Sequence, residues 1–228
     1  MKKFFALLCS SMLVFSTTSA IYANDYSVNL KSSYEKAYEQ DQDLIRELNE
    51  KMPELLKKGQ EVAKNDPVKG NDPVIYGNSM GTYGDILVSL VINSGSIGFA
   101  GHAAIVSDDQ NTTIESYAES FSPINKNGVQ YYSNDWGNKS KALLIRPIGA
   151  SSNQYSIASR YAESQVGKPY NWELYDKNTE EKFYCSQLVW KAWLDAGIDC
   201  EVGSVPNGII APADLVNSDN TYIVKQNS

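Results

Sequence analysis

Between residues 85 and 147 the chain runs through five short segments with the alternating or β-branched character of strands, and helical patterns return only after them. The segments are 85–91, 103–107, 112–118, 129–133 and 142–147, separated by polar turns such as Ser107-Asp108-Asp109-Gln110-Asn111. Helical spacing follows at 154–166, where Ile157, Ala158, Tyr161, Ala162 and Val166 share a face. It recurs at 185–196, where Leu188, Val189, Ala192 and Trp193 do so. Gly167-Lys168-Pro169 stops the first of these helices and Gly197 the second. A helical turn at Pro212-Ala213-Asp214-Leu215 and a strand near 222–224 close the chain. Strands segregated from helices in this way indicate an α+β domain, an antiparallel sheet packed on helices.

A different pattern precedes the strands. Tyr34, Ala37, Tyr38, Leu44, Ile45, Leu48, Met52, Leu55, Leu56, Val62 and Ala63 recur at three- and four-residue spacing, so 26–64 reads as helix, with Pro53 expected to divide it in two. Residues 65–72 read as a linker, and the apolar stripe of the arm needs a surface to cover it. At the start, Lys2 and Lys3 precede a short apolar run and then Thr18-Ser19-Ala20 and Ala23, the pattern of a cleaved secretory signal. The expected organisation is therefore a signal peptide at 1–23, a helical arm and linker at 24–72, and the main α+β domain at 73–228, secreted to an extracytoplasmic compartment. Removing the signal takes away Lys2 and Lys3 and lowers the formal charge from −7 to −9. Such a surface offers no general attraction to nucleic acid or anionic lipid, and no further apolar run is long enough for a membrane span.

Cys185 and Cys200 then remain. In an oxidising compartment they invite a disulfide. A helix between them would hold them ~18 Å apart at 1.5 Å per residue, whereas a disulfide needs Cα atoms within about 7 Å. Cys185 opens its helix in Tyr184-Cys185-Ser186-Gln187, where unpaired amides and the helix dipole favour a thiolate. On position alone it reads equally as a nucleophile or as a small buried residue. His102 shifts the balance: it is the sole histidine, at the entrance to the strand Ala103-Ala104-Ile105-Val106, and a thiol hydrolase needs an imidazole to take and return a proton. If Asp108-Asp109 is a two-residue turn, His102 lies directly across from Glu115. If the turn is two residues longer, His102 faces Tyr117 and Glu115 is its diagonal neighbour. Either parity keeps Thr113, Glu115 and Tyr117 on one face, where Glu115 can orient the imidazole. No H-E-x-x-H, C-x-x-C or phosphate-binding glycine loop occurs, so neither metal nor cofactor is implied.

In chain order the sequence holds Gly84-Asp85-Ile86-Leu87, Gly101-His102-Ala103-Ala104-Ile105-Val106, Val166-Gly167-Lys168-Pro169-Tyr170-Asn171-Trp172 and Tyr184-Cys185-Ser186. These blocks resemble those of the NlpC-type papain-like cell-wall peptidases in permuted order, and are most similar to the YiiX/YaeF/YycO-like group. The resemblance covers roughly 84–215 and implies a circularly permuted papain-like fold. It also implies a thiol hydrolase with Cys185 as nucleophile, His102 as base and Glu115 as orienting residue, and with Tyr184, Tyr170, Trp172 and Ser186 lining the substrate site. Tyr184 stands where the unpermuted peptidases have aspartate, and Glu173-Leu174 replaces their glycine pair, so their substrate does not carry over directly. Three readings follow. One is an amidase acting on a cell-wall peptide or related amide. Another is a lipid amide or ester hydrolase or acyltransferase with the same triad, and the third is a non-catalytic binding module on this fold.

Overall fold

The computed structural model describes residues 13–70, 75–91, 101–201 and 208–228, and of 13–34, 75 and 76 the backbone only. The first half of the expected signal segment lies outside these residues. The chain divides into two units, Met1–Glu39 and Gln40–Ser228. The boundary falls inside one long helix, α1 (Leu13–Lys64). Among the described residues no helix is long and apolar enough to cross a membrane.

Pro53 does not divide α1, contrary to the expectation from sequence. The reason is the face it occupies. Ile45, Leu48 and Met52 are buried, Leu55 and Leu56 half-buried and Gly59 buried again, while Asn49 and Pro53 face water. Proline deprives the carbonyl four residues back of its donor, and here solvent can replace it. The stripe runs unbroken onto the last strand, where a Cβ on Gly59 would overlap the carbonyl oxygen of Ile223.

A small hairpin, β1 (Ile75–Tyr76) and β2 (Ser79–Met80), turns at Gly77-Asn78; it had no counterpart in the sequence reading, although Gly-Asn is a hairpin signal. The main sheet has six antiparallel strands: β3 (Ile86–Ser89), β4 (His102–Val106), β5 (Thr112–Tyr117), β6 (Gly128–Ser133), β7 (Leu143–Pro147) and β8 (Thr221–Gln226). Their order is β6-β5-β4-β3-β7-β8, a meander whose first strand also pairs with β7 on its other side, and β7 in turn with β8. All five expected strands and the closing one are present, shifted by one or two residues at their ends. Among the described residues, three further α-helices accompany the sheet: α2 (Ser152–Ser164), α3 (Cys185–Asp195) and α4 (Pro212–Asn217). α2 begins two residues earlier than its apolar spacing suggests, because Ser151 caps it and Gln154 reaches back to the Ser151 amide at 3.0 Å. α3 packs on α2 on one side and on β4 and β5 on the other. It is therefore buried nearly all round, not along one stripe as its spacing suggests.

The register of β4 on β5 positions the chemistry. Ile105 pairs with Ile114 and Val106 with Thr113, so the loop is four residues long and the two-residue turn does not form. Asp109 explains the longer loop: its carboxylate accepts the amides of Asn111 (2.8 Å) and Thr112 (2.9 Å), while Gln110 takes a left-handed φ of 62°. Extended along the strands, this register sets His102 against Tyr117 and leaves Glu115 on the diagonal.

A buried charge cluster ties the segment after α1 to the sheet. Asp85 accepts two hydrogen bonds from the Arg146 guanidinium, both 3.0 Å, and one from Lys69 Nζ at 3.1 Å. Lys69 also donates to the Thr82 hydroxyl (2.7 Å) and the Tyr83 carbonyl (2.6 Å), and lies over the Tyr155 ring. All three charges are enclosed, and a buried pair that loses one partner costs about 3–5 kcal/mol. Two outcomes are expected in urea unfolding. Asp85→Asn should lower stability by about 3 kcal/mol or more. Gly59→Ala, which helix propensity alone would favour by about 1 kcal/mol, should instead destabilise by about 1–3 kcal/mol because the new methyl has no room.

Candidate active site

Three elements converge on one point. β4 supplies His102, β5 supplies Glu115 and the first turn of α3 supplies Cys185. His102 opens its strand directly after Gly101, whose φ of 102° and closeness to the Ser89 carbonyl exclude any side chain there. Cys185, His102 and Glu115 are 2%, 1% and 1% exposed.

His102 Nε2 and Glu115 Oε2 are 2.7 Å apart. The other carboxylate oxygen of Glu115 accepts from the Trp136 indole N–H at 3.0 Å and from the Thr113 hydroxyl. Imidazole stacking completes the enclosure, with Tyr117 at 4.0 Å between centroids on one side and Trp136 at 6.2 Å. Burial alone would neutralise Glu115, but the hydrogen bond and charge of His102, with Lys139 and Thr113, hold its carboxyl down at about 2. Burial likewise opposes charge on His102, yet the Cys185 thiolate and Glu115 push its imidazole up to about 9. Burial raises the Cys185 thiol, but His102, the Ala103 amide and the Ser186 hydroxyl outweigh it and bring the thiol below its ordinary range. His102 and Cys185 thus stabilise each other's charged form, with Nε2 committed to Glu115 and Nδ1 otherwise without a hydrogen bond. Cys200 is the contrast: it is also a free, buried thiol, but burial and the Asp199 charge push it up.

The start of α3 is held from two directions. Tyr184 is the cap residue, and its side chain offers the helix no acceptor, so Gln187 accepts from the Tyr184 amide at 3.1 Å instead. Gln187 also accepts from Asn171 at 3.0 Å and donates to the Lys177 carbonyl at 3.1 Å. On the far side, the Tyr184 hydroxyl accepts from the Ile210 amide at 3.0 Å, while the Ser186 hydroxyl donates to the Ile210 carbonyl at 2.6 Å. The two residues flanking Cys185 therefore grip the backbone of one residue, Ile210, through both its amide and its carbonyl.

Tyr170 is brought in by pairing with Phe183: the Phe183 amide donates to Pro169 (3.1 Å) and the Asn171 amide to Phe183 (3.0 Å). The Tyr170 hydroxyl is buried without a hydrogen bond, in the field of Cys185, and burial with that charge raises its pKa. Trp172 meets the Tyr170 ring edge-on at 5.0 Å and is 53% exposed. Trp136, Asn171 and Gln187 escaped the sequence reading. Gln187 carried a signal, since a glutamine three residues after a helix start is a capping pattern. Trp136 carried none.

Among the described residues, no group of three or more histidine, cysteine, aspartate or glutamate side chains could hold a metal ion. The parts present are a thiol and an imidazole that favour each other's charged form, a carboxylate behind the imidazole, and a buried hydroxyl in the field of the sulfur. These are the parts of covalent acyl transfer.

Residues 81–217 match the family model of the permuted papain-like amidase enzymes, YaeF/YiiX, C92 family. No curated protein matches the chain. Among solved structures, the crystal structure of metalloprotein yiiX from Escherichia coli O157:H7 is 17% identical. It aligns over 64% of this chain and 97% of its own, with a TM-score of 0.45. With strands β3 to β7 and helices α2, α3 and α4 inside a family match that spans more than half of its length, the chain belongs to the permuted papain-like amidases, the YaeF/YiiX family of cysteine hydrolases.

Proposed function

We propose that this amidase is secreted and cleaves an amide of a cell-wall peptide through a Cys185–His102–Glu115 triad and an acyl-enzyme. The mutual stabilisation of charge on Cys185 and His102 carries the reading. The Cys185 thiolate attacks the carbonyl carbon, and the developing oxyanion takes a hydrogen bond from the Tyr170 hydroxyl and from the first amides of α3. His102 then gives its Nδ1 proton to the leaving amine, and the tetrahedral adduct collapses to a thioester. Water, deprotonated by His102, attacks the thioester, and the second tetrahedral adduct expels Cys185 as the thiolate, which restores the pair with protonated His102 as the acid leaves. Glu115 holds the imidazole in place and stabilises its charge without accepting the proton, as its low pKa requires. Secretion rests on the leader pattern at 1–23. A mature N-terminus at Ile21 or Asn24 supports it, and an intact Met1 on exported protein excludes cleavage.

One observation favours a second reading, in which the acyl group is a lipid chain. Trp172 presents an apolar ring to solvent beside Tyr170, and Phe121 and Ile124, on the loop after β5, are exposed apolar groups too. Release of new amines from wall muropeptides supports the peptide reading, whereas hydrolysis confined to N-acyl amides or esters transfers the site to lipids.

Two measurements test the mechanism. The alkylation rate of Cys185 should already be appreciable at about pH 6, whereas an ordinary thiol titrates near 8.5. In His102→Ala that low-pH reactivity should vanish; an unchanged profile removes the triad. For turnover, the sign follows from which form is needed. His102 must be protonated to serve the leaving group, and its raised pKa keeps it so until about 9, so activity should fall as pH rises through about 9. Tyr170→Phe should lower kcat by about 10²-fold or more, with KM little changed and Cys185 alkylation at pH 6 preserved. A Tyr170→Phe enzyme of full activity would return the oxyanion to the backbone amides alone.

A further inference from the structure

The geometry points to Trp136 as a positioning residue for the triad: its indole N–H aims the Glu115 carboxylate at His102, and Asn227 holds the turn that carries it. This rests on the triad reading above. A tryptophan in a core needs a partner for its N–H but has no preference for which. Trp136 is wholly buried among Met80, Leu87, Ala104, Val106, Ala142 and Leu144, and among these apolar neighbours its N–H reaches Glu115 Oε1 at 3.0 Å. That leaves Oε2 to His102 at 2.7 Å. Its ring also lies within 16° of parallel to the imidazole, so one side chain sets both the carboxylate and the plane in which the imidazole lies.

Trp136 sits in a single 3-10 turn, Trp136–Asn138, between β6 and β7. So short a turn has little stiffness of its own. It is clasped from outside. The Asn227 side-chain amide donates to the carbonyls of Trp136 (2.9 Å), Gly137 (3.2 Å) and Lys139 (3.0 Å). From the other side the Gly137 amide donates to Asn78 of the small hairpin at 2.9 Å, and Asn134 exchanges two hydrogen bonds with Met80. Lys139 lies over the Trp136 ring at 4.1 Å and adds a positive charge near Glu115. Asn227, just past the end of β8, is thereby linked to the imidazole through two side chains.

The charged and titratable groups that face Glu115 are His102 from β4, Cys185 from α3 through His102, Tyr117 from β5, Tyr132 from β6 and Lys139 from the turn itself. Both tyrosines are pushed upward and remain neutral across the working range. Loss of the indole donor therefore acts on the carboxylate, the imidazolium and, through them, the thiolate. All three change in one direction: a carboxylate with one donor fewer is easier to protonate, the imidazolium loses support, and the thiol pKa rises.

The test is the pH profile of Cys185 alkylation by iodoacetamide in the full chain, for the unaltered protein, Trp136→Phe and Asn227→Ala. Trp136→Phe keeps a ring and removes only the N–H donor and part of the bulk. Its alkylation at pH 6 should fall about tenfold, the scale of a hydrogen bond to a charged group, and the acid limb should move to higher pH. Asn227→Ala leaves the core untouched and should move the limb in the same direction by less. If Trp136 is core packing alone, both proteins will melt at lower temperature with unshifted limbs, and the proposal is overturned. Should Trp136→Phe fail to fold, Asn227→Ala decides by itself. If the unaltered protein shows no His102-dependent reactivity at low pH, the triad reading falls and this inference with it. An intact triad with unshifted limbs removes this inference only.

Discussion

Placing a thiolate, an imidazolium and a carboxylate together where water hardly reaches them is unfavourable unless every charge is answered. Isolated charges in a protein interior change protonation state sooner than persist. Here His102 lies between two anions, and each anion has further donors. Glu115 has Trp136 and Thr113, and Cys185 has the Ala103 amide and the Ser186 hydroxyl. Burial opposes all three charges, and in each case the partners outweigh it. The same low dielectric that makes the arrangement costly to build makes each contact strong once built. The surrounding architecture can be understood as what is needed to hold these partners in register.

Strand β4 is central to that task. At one end His102 is joined to β5 through Glu115. At the other, Val106 exchanges backbone hydrogen bonds with Gly84 and Asp85, and Asp85 is the hub of the Lys69–Arg146 cluster. One buried charge cluster therefore fixes the far end of the strand that presents the other. The segment after α1 enters here too, because Lys69 belongs to it, and its carbonyl accepts from Arg146 at 2.5 Å. The segment after α1 is thus bonded to the sheet by charge, and α1 itself approaches the last strand closely at Gly59, beside the carbonyl of Ile223.

Much of this was legible in the sequence, for identifiable reasons. Strand alternation and helical spacing are local properties, and they located every strand of the main sheet and all three helices of the domain. The lone histidine and a cysteine at a helix start narrowed the chemistry to one pair. Parity in a strand then placed Glu115 on the face of His102 whichever turn formed. What was not legible depended on contacts far apart in sequence or on competition between local rules. The turn at 108–111 followed Asp109's capture of two amides over the shorter alternative. Pro53 was tolerated because of which side of α1 faces water, and Tyr184 and Ser186 bond to Ile210, a residue more than twenty positions away. Trp136 lies in a turn without regular pattern, so nothing local connects it to a carboxylate on another strand.

The order of the blocks along the chain matters little to the chemistry, and the sheet shows why. The site needs β4 beside β5 and the start of α3 against both, which is a statement about neighbours in space. α3 arrives after β7 and α2 have been laid down, and its own helix start is fixed by Gln187, Asn171 and the Ile210 peptide, contacts that do not depend on which block came first. Likewise Phe183 bonds to Ser116 on β5 and to the segment carrying Tyr170, so the approach to the nucleophile, the carboxylate strand and the buried hydroxyl share one junction. A permuted chain can keep a papain-like site because each catalytic group is held by its own side-chain and main-chain clamps, and the connections between blocks only have to reach.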